Sequence, residues 1–337
     1  MDREIKRLQW IDVLKFFGIA AVMFGHIYTG EPVLDWLYTF HVPLFFIAGG
    51  VVYRPREIAG DIKRRAFRII VPYLIFGLII LLYYNFLERP YRDVDVSLAD
   101  GLLGLVIGEM EHLEFHSHLW FLPCYFMTTV VYDILYKLIK PLGCGIVCAA
   151  ASLTYVLLPI PSLPWGIDRM LGFLGLFALG NLLAERKLTD KAEKLPLPAK
   201  LAAAVVLIAL SAVFPALRLT SGIMWIVCAV VGTAGFAALS MAAEKVPVLA
   251  AIGKMTLVIL CIHGPVYRIL IKLTSMALNI SPDDVRGNVF AALAVTAVTL
   301  AVCCAVYMLL AKILPWSIGI TPKKSVSGSD SARKEKS

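Results

Sequence analysis

The chain has 337 residues, of which 59% are hydrophobic and 17% charged, with a mean hydropathy of +0.79. A soluble globular chain holds about 45–50% apolar residues, so a soluble single-core protein is excluded. The formal net charge of +8 comes from 32 basic side chains that stand between apolar runs, which reads as a membrane-topology signal and not as a nucleic-acid footprint.

Apolar runs long enough for a hydrocarbon core of about 30 Å recur along the chain. Helices are predicted over 8–28, 37–53, 69–87, 118–136, 142–160, 168–184, 201–217, 222–242, 255–275 and 289–314. The runs are continuously apolar and do not alternate, which favours helices over a barrel. The expectation is an all-α polytopic membrane protein with about ten transmembrane helices, surrounded by the lipid bilayer of the cell (inner or cytoplasmic) membrane. The first run follows basic residues, as in a signal peptide, but Asp12 and Lys15 interrupt it and no cleavage site follows, so it reads as an uncleaved span. Twenty-five of the 32 Lys and Arg fall on the side of both termini and seven on the other, so both termini are predicted to be cytoplasmic. Among the outer connections 88–117 is the long one, acidic, with Leu98–Ile107 able to lie at the interface as a short helix. Residues 1–322 make one transmembrane domain, and the Ser- and Lys-rich tail 323–337 is expected to be disordered. All seven cysteines lie in apolar segments without zinc or disulfide spacing, and read as small buried hydrophobes.

The informative residues are the polar ones inside these spans, because an ionisable group in lipid is costly and marks function or structural pairing. Asp12, Lys15 and His26 share one face of the first helix, with His26 about 16 Å beyond Lys15 along the axis. Asp12 and Lys15 also suit a simple i,i+3 ion pair, and His26 could simply end the span at the outer interface. A basic run, Arg54, Arg56, Lys63, Arg64, Arg65 and Arg68, leads into the third span. Guanidinium groups on one face suit a polyphosphorylated ligand, and the positive-inside rule also accounts for them. His41 opens the second span near the outer level of His26. His118 and Trp120 stand at the outer start of the fourth, where a Trp is commonly an interfacial anchor. Glu109, Glu111, His112, Glu114, His116 and His118 have metal-ligand types, but a solvated acidic segment explains them equally well and no metal site is expected. His263 lies within the ninth span beside Gly264 and Pro265, either packed and hydrogen-bonded or part of a site.

Taken together, these motifs resemble the acyltransferase-3 family of integral membrane O-acyltransferases, and within it the fucose 4-O-acetylase-like branch. The marks are Asp12-x-x-Lys15 with His26 further along the helix, Phe40-His41-Val42-Pro43-Leu44-Phe45-Phe46, and Arg65-x-x-Arg68 with Val71-Pro72-Tyr73. Leu119-Trp120-Phe121-Leu122-Pro123, Gly253-x-x-Thr256-Leu257 and Ile262-His263 complete the set. Lys15 fills a place often held by Arg. The resemblance implies transfer of an acyl group, usually acetyl from cytoplasmic acetyl-CoA, to a hydroxyl of a carbohydrate or lipid-linked glycan. It assigns His26 as the catalytic residue, with Asp12 and Lys15 orienting the helix or contacting the donor. Arg64, Arg65 and Arg68 would then hold acyl-CoA, while His41, His118, Trp120 and His263 line the acceptor side. The acyl-CoA is a donor substrate, and no tightly bound cofactor is expected. The rival reading is a proton-coupled exporter of a sugar or lipid-linked glycan, which ten helices with intramembrane His, Lys and Asp would also suit.

Overall fold

The computed structural model describes residues 8–320. Arg3, Lys6 and Arg7, and the tail 323–337, therefore lie outside the described residues. All regular structure among the described residues is helical.

The first span is α1 (Gln9–Ile27). The second is broken into α2 (Glu31–Phe40) and α3 (Pro43–Val51). The break falls just ahead of Pro43, which has no N–H to give to the preceding turn. The helical chain also begins at Glu31, earlier than the expected 37, because Pro32 is preorganised for a first turn. The third span, α4 (Ile58–Tyr83), starts well before the expected 69. Glu57 accepts hydrogen bonds from the N–H groups of Ala59 and Gly60, at 3.1 and 2.8 Å. With that cap in place the basic run Lys63–Arg68 forms the first turns of α4 and is not a loop.

The expected short helix follows as α5 (Leu98–Ile107), capped by Ser97 and ended by left-handed Gly108. After it come α6 (Phe121–Leu138), α7 (Lys140–Leu157), α8 (Ile167–Glu185) and the short α9 (Leu188–Glu193). The remaining helices are α10 (Leu197–Ala216), α11 (Ile223–Ala242), α12 (Pro247–Gly253), α13 (Thr256–Leu278), α14 (Pro282–Gly287) and α15 (Val289–Ile313).

Nine helical stretches among the described residues are long and apolar enough to cross a membrane, and α7 is shorter in its apolar part. Its ends nevertheless lie at opposite sides of the bundle. Before α7, Lys137 donates to the Arg56 carbonyl, which precedes α4; after α7, Trp165 donates to the Val106 carbonyl, which follows α4, at 2.9 Å. The chain thus crosses at α7 as well, which makes ten passages among the described residues. The two ends of the described chain share a side: Leu8 and Arg68 line one cavity, and Gly319 packs against the Arg68 backbone.

Helix α1 is central, with 67% of its span buried, whereas α10 and α15 are peripheral, with 17% and 28% buried. The exposed apolar side chains of the peripheral helices are those a lipid solvent accepts at no cost. At its basic end α1 touches α12 so closely that a Cβ on Gly253 would lie 1.7 Å from the Asp12 carbonyl oxygen. All seven cysteines are free, and six are buried.

One expectation needs correcting. The acidic segment before α6 is solvated only in part: Glu111, His112 and Glu114 are exposed, whereas Leu113 and Phe115 insert fully into the main apolar core. Glu109 and His116 are buried with them.

Candidate active site

Three helices, α1, α6 and α13, connect the site's cavity to its histidines, and α3 and α4 complete the cavity wall. Along α1, Asp12, Lys15 and Ile19 line a cavity of about 600 Å³, which α6 closes with Phe121, Leu122 and Tyr125 and α13 with Thr256, Leu257 and Leu260. Each helix carries a histidine just past that wall: His26 on α1, His118 in the 3₁₀ turn that leads into α6, and His263 on α13. Since α6 runs opposite to α1 and α13, these offsets bring the histidines to one level. The His26 and His118 rings meet edge to face with centroids 3.9 Å apart, and His263 lies 4.6 Å from His118 and 5.8 Å from His26. His116 joins them at 4.9 Å from His118. Gly264 makes room for it, since a Cβ there would lie 2.4 Å from the His116 ring.

The hydrogen bonds of these rings define what they offer. His263 donates from Nδ1 to the Leu260 carbonyl at 2.8 Å, which leaves Nε2 with a bare lone pair and no partner among the described residues. His116 donates from Nε2 to the Cys261 carbonyl at 2.8 Å. Neither ring nitrogen of His118 has a described partner, although the residue is only 9% exposed. Buried polar atoms are almost always satisfied, so orphans gathered at one spot mark a place where something else binds or reacts. His116 lies just outside the spans, and burial, reinforced by His263 and Arg268, pushes its pKa well below the usual value. The nitrogens of His26, His118 and His263 lie within 4.8 Å of one another, so the same set could ligate a metal ion as well as move protons.

At the other end the cavity mouth is cationic. Lys15, Arg54 and Arg68 line it together with Asp12, which pairs with Lys15 at 2.7 Å. Of the three arginines expected to hold a donor, only Arg68 reaches this cavity. Arg64 and Arg65 both engage Asp61, a carboxylate buried at 2% exposure, and Arg65 also donates to the Thr129 carbonyl at 2.9 Å. Arg65 thereby ties α4 to α6, Arg64 pairs within α4, and neither lines the cavity.

Residues 8–308 match the model of the acyltransferase-3 family, described as an acyltransferase domain. The chain belongs to this family. No curated protein and no solved structure matches it. Within this acyltransferase domain the remaining expected residues are spread more widely. His41 is buried and donates from Nδ1 to the Leu37 carbonyl at 2.6 Å, and its ring meets Tyr38, which in turn reaches the His26 ring at 6.3 Å. Trp120 stacks on Phe173 under the Arg169 guanidinium, 4.8 Å from its ring centre.

One contributor was not singled out from sequence. Tyr125 lines the cavity from inside an apolar span, where nothing in the pattern marks it, whereas Arg54 belongs to the basic run already read as suited to phosphates. His116 stands on the polar side of the Leu113–Phe115 alternation, so that pattern gave no sign of its burial.

Proposed function

We propose that this acyltransferase moves an acyl group, usually acetyl, from cytoplasmic acyl-CoA to a hydroxyl of a carbohydrate or lipid-linked glycan, with His26 as general base. The observation that carries the proposal is that α1, α6 and α13 line the cavity and carry the histidine cluster past one end of it, while Lys15, Arg54 and Arg68 make the other end cationic. Positive-inside counting supports a cytoplasmic mouth, where the phosphates of CoA meet Lys15, Arg54 and Arg68 while the slender pantetheine arm extends towards the histidines. Ile19, the deepest cavity residue of α1, is about 10 Å from His26 along the helix axis.

The acceptor arrives on the opposite side, near His26, His118 and His263. In the transfer step the His26 lone pair takes the hydroxyl proton while the acceptor oxygen attacks the thioester carbonyl. The tetrahedral adduct collapses with cleavage of the carbon–sulfur bond, and the proton passes to the CoA thiolate, giving ester and free thiol. The Asp12–Lys15 pair holds the mouth end of α1 in register. On this reading the protein modifies surface glycans at the cytoplasmic membrane, in the manner of the fucose 4-O-acetylase-like branch.

The test uses purified full-length protein with labelled acetyl-CoA and a panel of glycans, followed by mass spectrometry of the acceptor. A His26-dependent gain of one acetyl mass on a hydroxyl is expected. Movement of an acceptor across a vesicle membrane without covalent change would replace transfer by transport. Ping-pong kinetics with a trapped acyl-histidine would replace direct attack by a covalent route.

A further inference from the structure

A second cavity lies on the other side of α1, and it has nothing to do with the histidines. It measures about 280 Å³ and is enclosed by α1, α3, α8, α9, α10 and α11. Its walls are almost entirely apolar, from Leu14, Val51 and Leu183 to Leu207 and Met241. Small-molecule sites usually run from about 300 to 1,000 Å³, so this one has room for a single slender apolar group.

Polar side chains interrupt the apolar wall at Trp10, Thr189, Lys200 and Thr233, and three of them matter for charge. Lys200 is 8% exposed, forms no ion pair among the described residues, and its ammonium reaches the Met241 carbonyl at a long 3.4 Å. Trp10 Nε1 and Thr233 Oγ1, at 2% and 3% exposure, have no hydrogen-bond partner among the described residues. A buried ammonium without a carboxylate is costly, and two further unsatisfied buried donors beside it raise that cost. All three suit an anion. The cavity lies at the basic end of the bundle, and Arg186, Lys187, Lys191 and Lys194 stand exposed around the short helix α9 that roofs it. A basic pocket between helices at a membrane surface is the arrangement that receives an anionic lipid headgroup.

We infer that this cavity is a binding site for an anionic phospholipid of the leaflet at the basic end, with one acyl chain in the apolar volume and the phosphate on Lys200. The chain's own tail does not fit the role: residues 323–337 carry five basic side chains against two acidic ones, the wrong charge for Lys200. The acyl group of a CoA donor is excluded by place, because the large cavity opens on the face of α1 with Asp12 and Lys15 and this one on the face with Trp10 and Leu14.

Native mass spectrometry of the full-length protein in detergent tests the site, with phosphatidylglycerol and phosphatidylcholine of matched chains offered in equal amounts. A single phosphatidylglycerol adduct is expected to be preferred. Lys200→Gln should reduce that preference about fivefold or more, and Lys200→Arg should keep it. Removing an unpaired buried charge does not threaten folding. Ala234→Leu, which fills the cavity without touching charge, should displace both lipids. Equal adducts of the two lipids, an unchanged preference in Lys200→Gln, or a free fatty acid as the retained ligand would each overturn the inference. The readout is lipid retention and not acyl transfer, so it stands or falls apart from the proposed reaction.

Discussion

The rings of His26 and His118 lie edge to face, 3.9 Å between centroids, although 92 positions separate them in the chain. If His26 takes the acceptor proton, His118 is the group beside it that feels the new charge. Replacing His26 by Gln should lower transfer by about 10²- to 10⁴-fold, the usual worth of a general base. His118→Asn should cost roughly tenfold and also displace the pH–rate profile, a change that a purely structural role would not produce. Steady-state release of free CoA across pH 5–9 reads both effects, and full activity in His26→Gln would remove this residue from the chemistry.

The arginines divide in a way that kinetics can resolve. Arg68 lines the cavity mouth with no ion-pair partner among the described residues, whereas Arg64 and Arg65 are committed to Asp61. Arg68→Ala should raise KM for acyl-CoA by roughly tenfold or more, the equivalent of about 1.5–3 kcal/mol for a hydrogen bond to a charged group, with little change in kcat. Arg64→Ala should leave KM within about twofold. The Arg68 contribution should also weaken as salt rises, because the mouth is solvent-exposed. A larger KM effect from Arg64 than from Arg68 would mean that the donor enters elsewhere.

Much of this arrangement was legible in the sequence, and what was missed has a physical cause. Apolar length marks a span wherever water and lipid compete for a segment, so the passages could be counted and even the short α7 placed. The break before Pro43 and the early start of α4 were missed because both depend on local backbone chemistry at Pro43 and Glu57, which hydropathy does not weigh. His26 was readable from its face and spacing on α1. Its encounter with His118 and His263 was not, since nothing in a linear pattern states which helices meet. The assignment of Arg64 and Arg65 to a ligand failed to anticipate Asp61, a carboxylate that looks like one more charge in a basic loop until α4 forms and sets it three and four residues from its partners.

Burial of His116 should make the protein acid-labile. Its ring faces His118, His263 and Arg268, none of which welcomes a second positive charge, and its folded pKa lies well below the usual value near 6.5. Below that value the unfolded chain therefore binds a proton that the folded chain refuses. Stability is fully present above about pH 6.5 and falls as pH drops towards the folded pKa. Thermal unfolding in detergent from pH 7.5 to 5 should show a falling Tm, and the fall should be shallower in His116→Gln, which keeps a donor for the Cys261 carbonyl. An equal slope in the two proteins would assign the lability to other groups.

The close approach of α1 and α12 gives a prediction that bears on the donor mouth. A methyl group at Gly253 would meet the Asp12 carbonyl oxygen at 1.7 Å, a contact no side-chain rotation relieves because the obstacle is backbone. Gly253→Ala must therefore push α12 away from α1, and overpacking of this kind typically costs about 1–3 kcal/mol. A lower Tm is expected, together with a raised KM for acyl-CoA where the strain is shared by α1, from which Asp12 and Lys15 line the mouth. A Tm shift without any change in KM would show that α1 keeps its place and α12 alone gives way.

Zinc offers a last test of the histidine cluster. The nitrogens of His26, His118 and His263 lie within 4.8 Å of one another, and imidazole is a favoured zinc ligand. An imidazole lone pair bound to a metal cannot accept a proton, so a cluster that works by acid–base chemistry must lose activity when zinc occupies it. Micromolar Zn²⁺ should inhibit transfer, a chelator should restore it, and His118→Asn or His263→Asn should lower the sensitivity because a three-ligand set becomes two. Inhibition that persists unchanged in both variants would place the zinc elsewhere. Stimulation in place of inhibition would mean that the cluster acts as a metal centre, and the general-base assignment of His26 would then be wrong, since its lone pair would be spent on the ion.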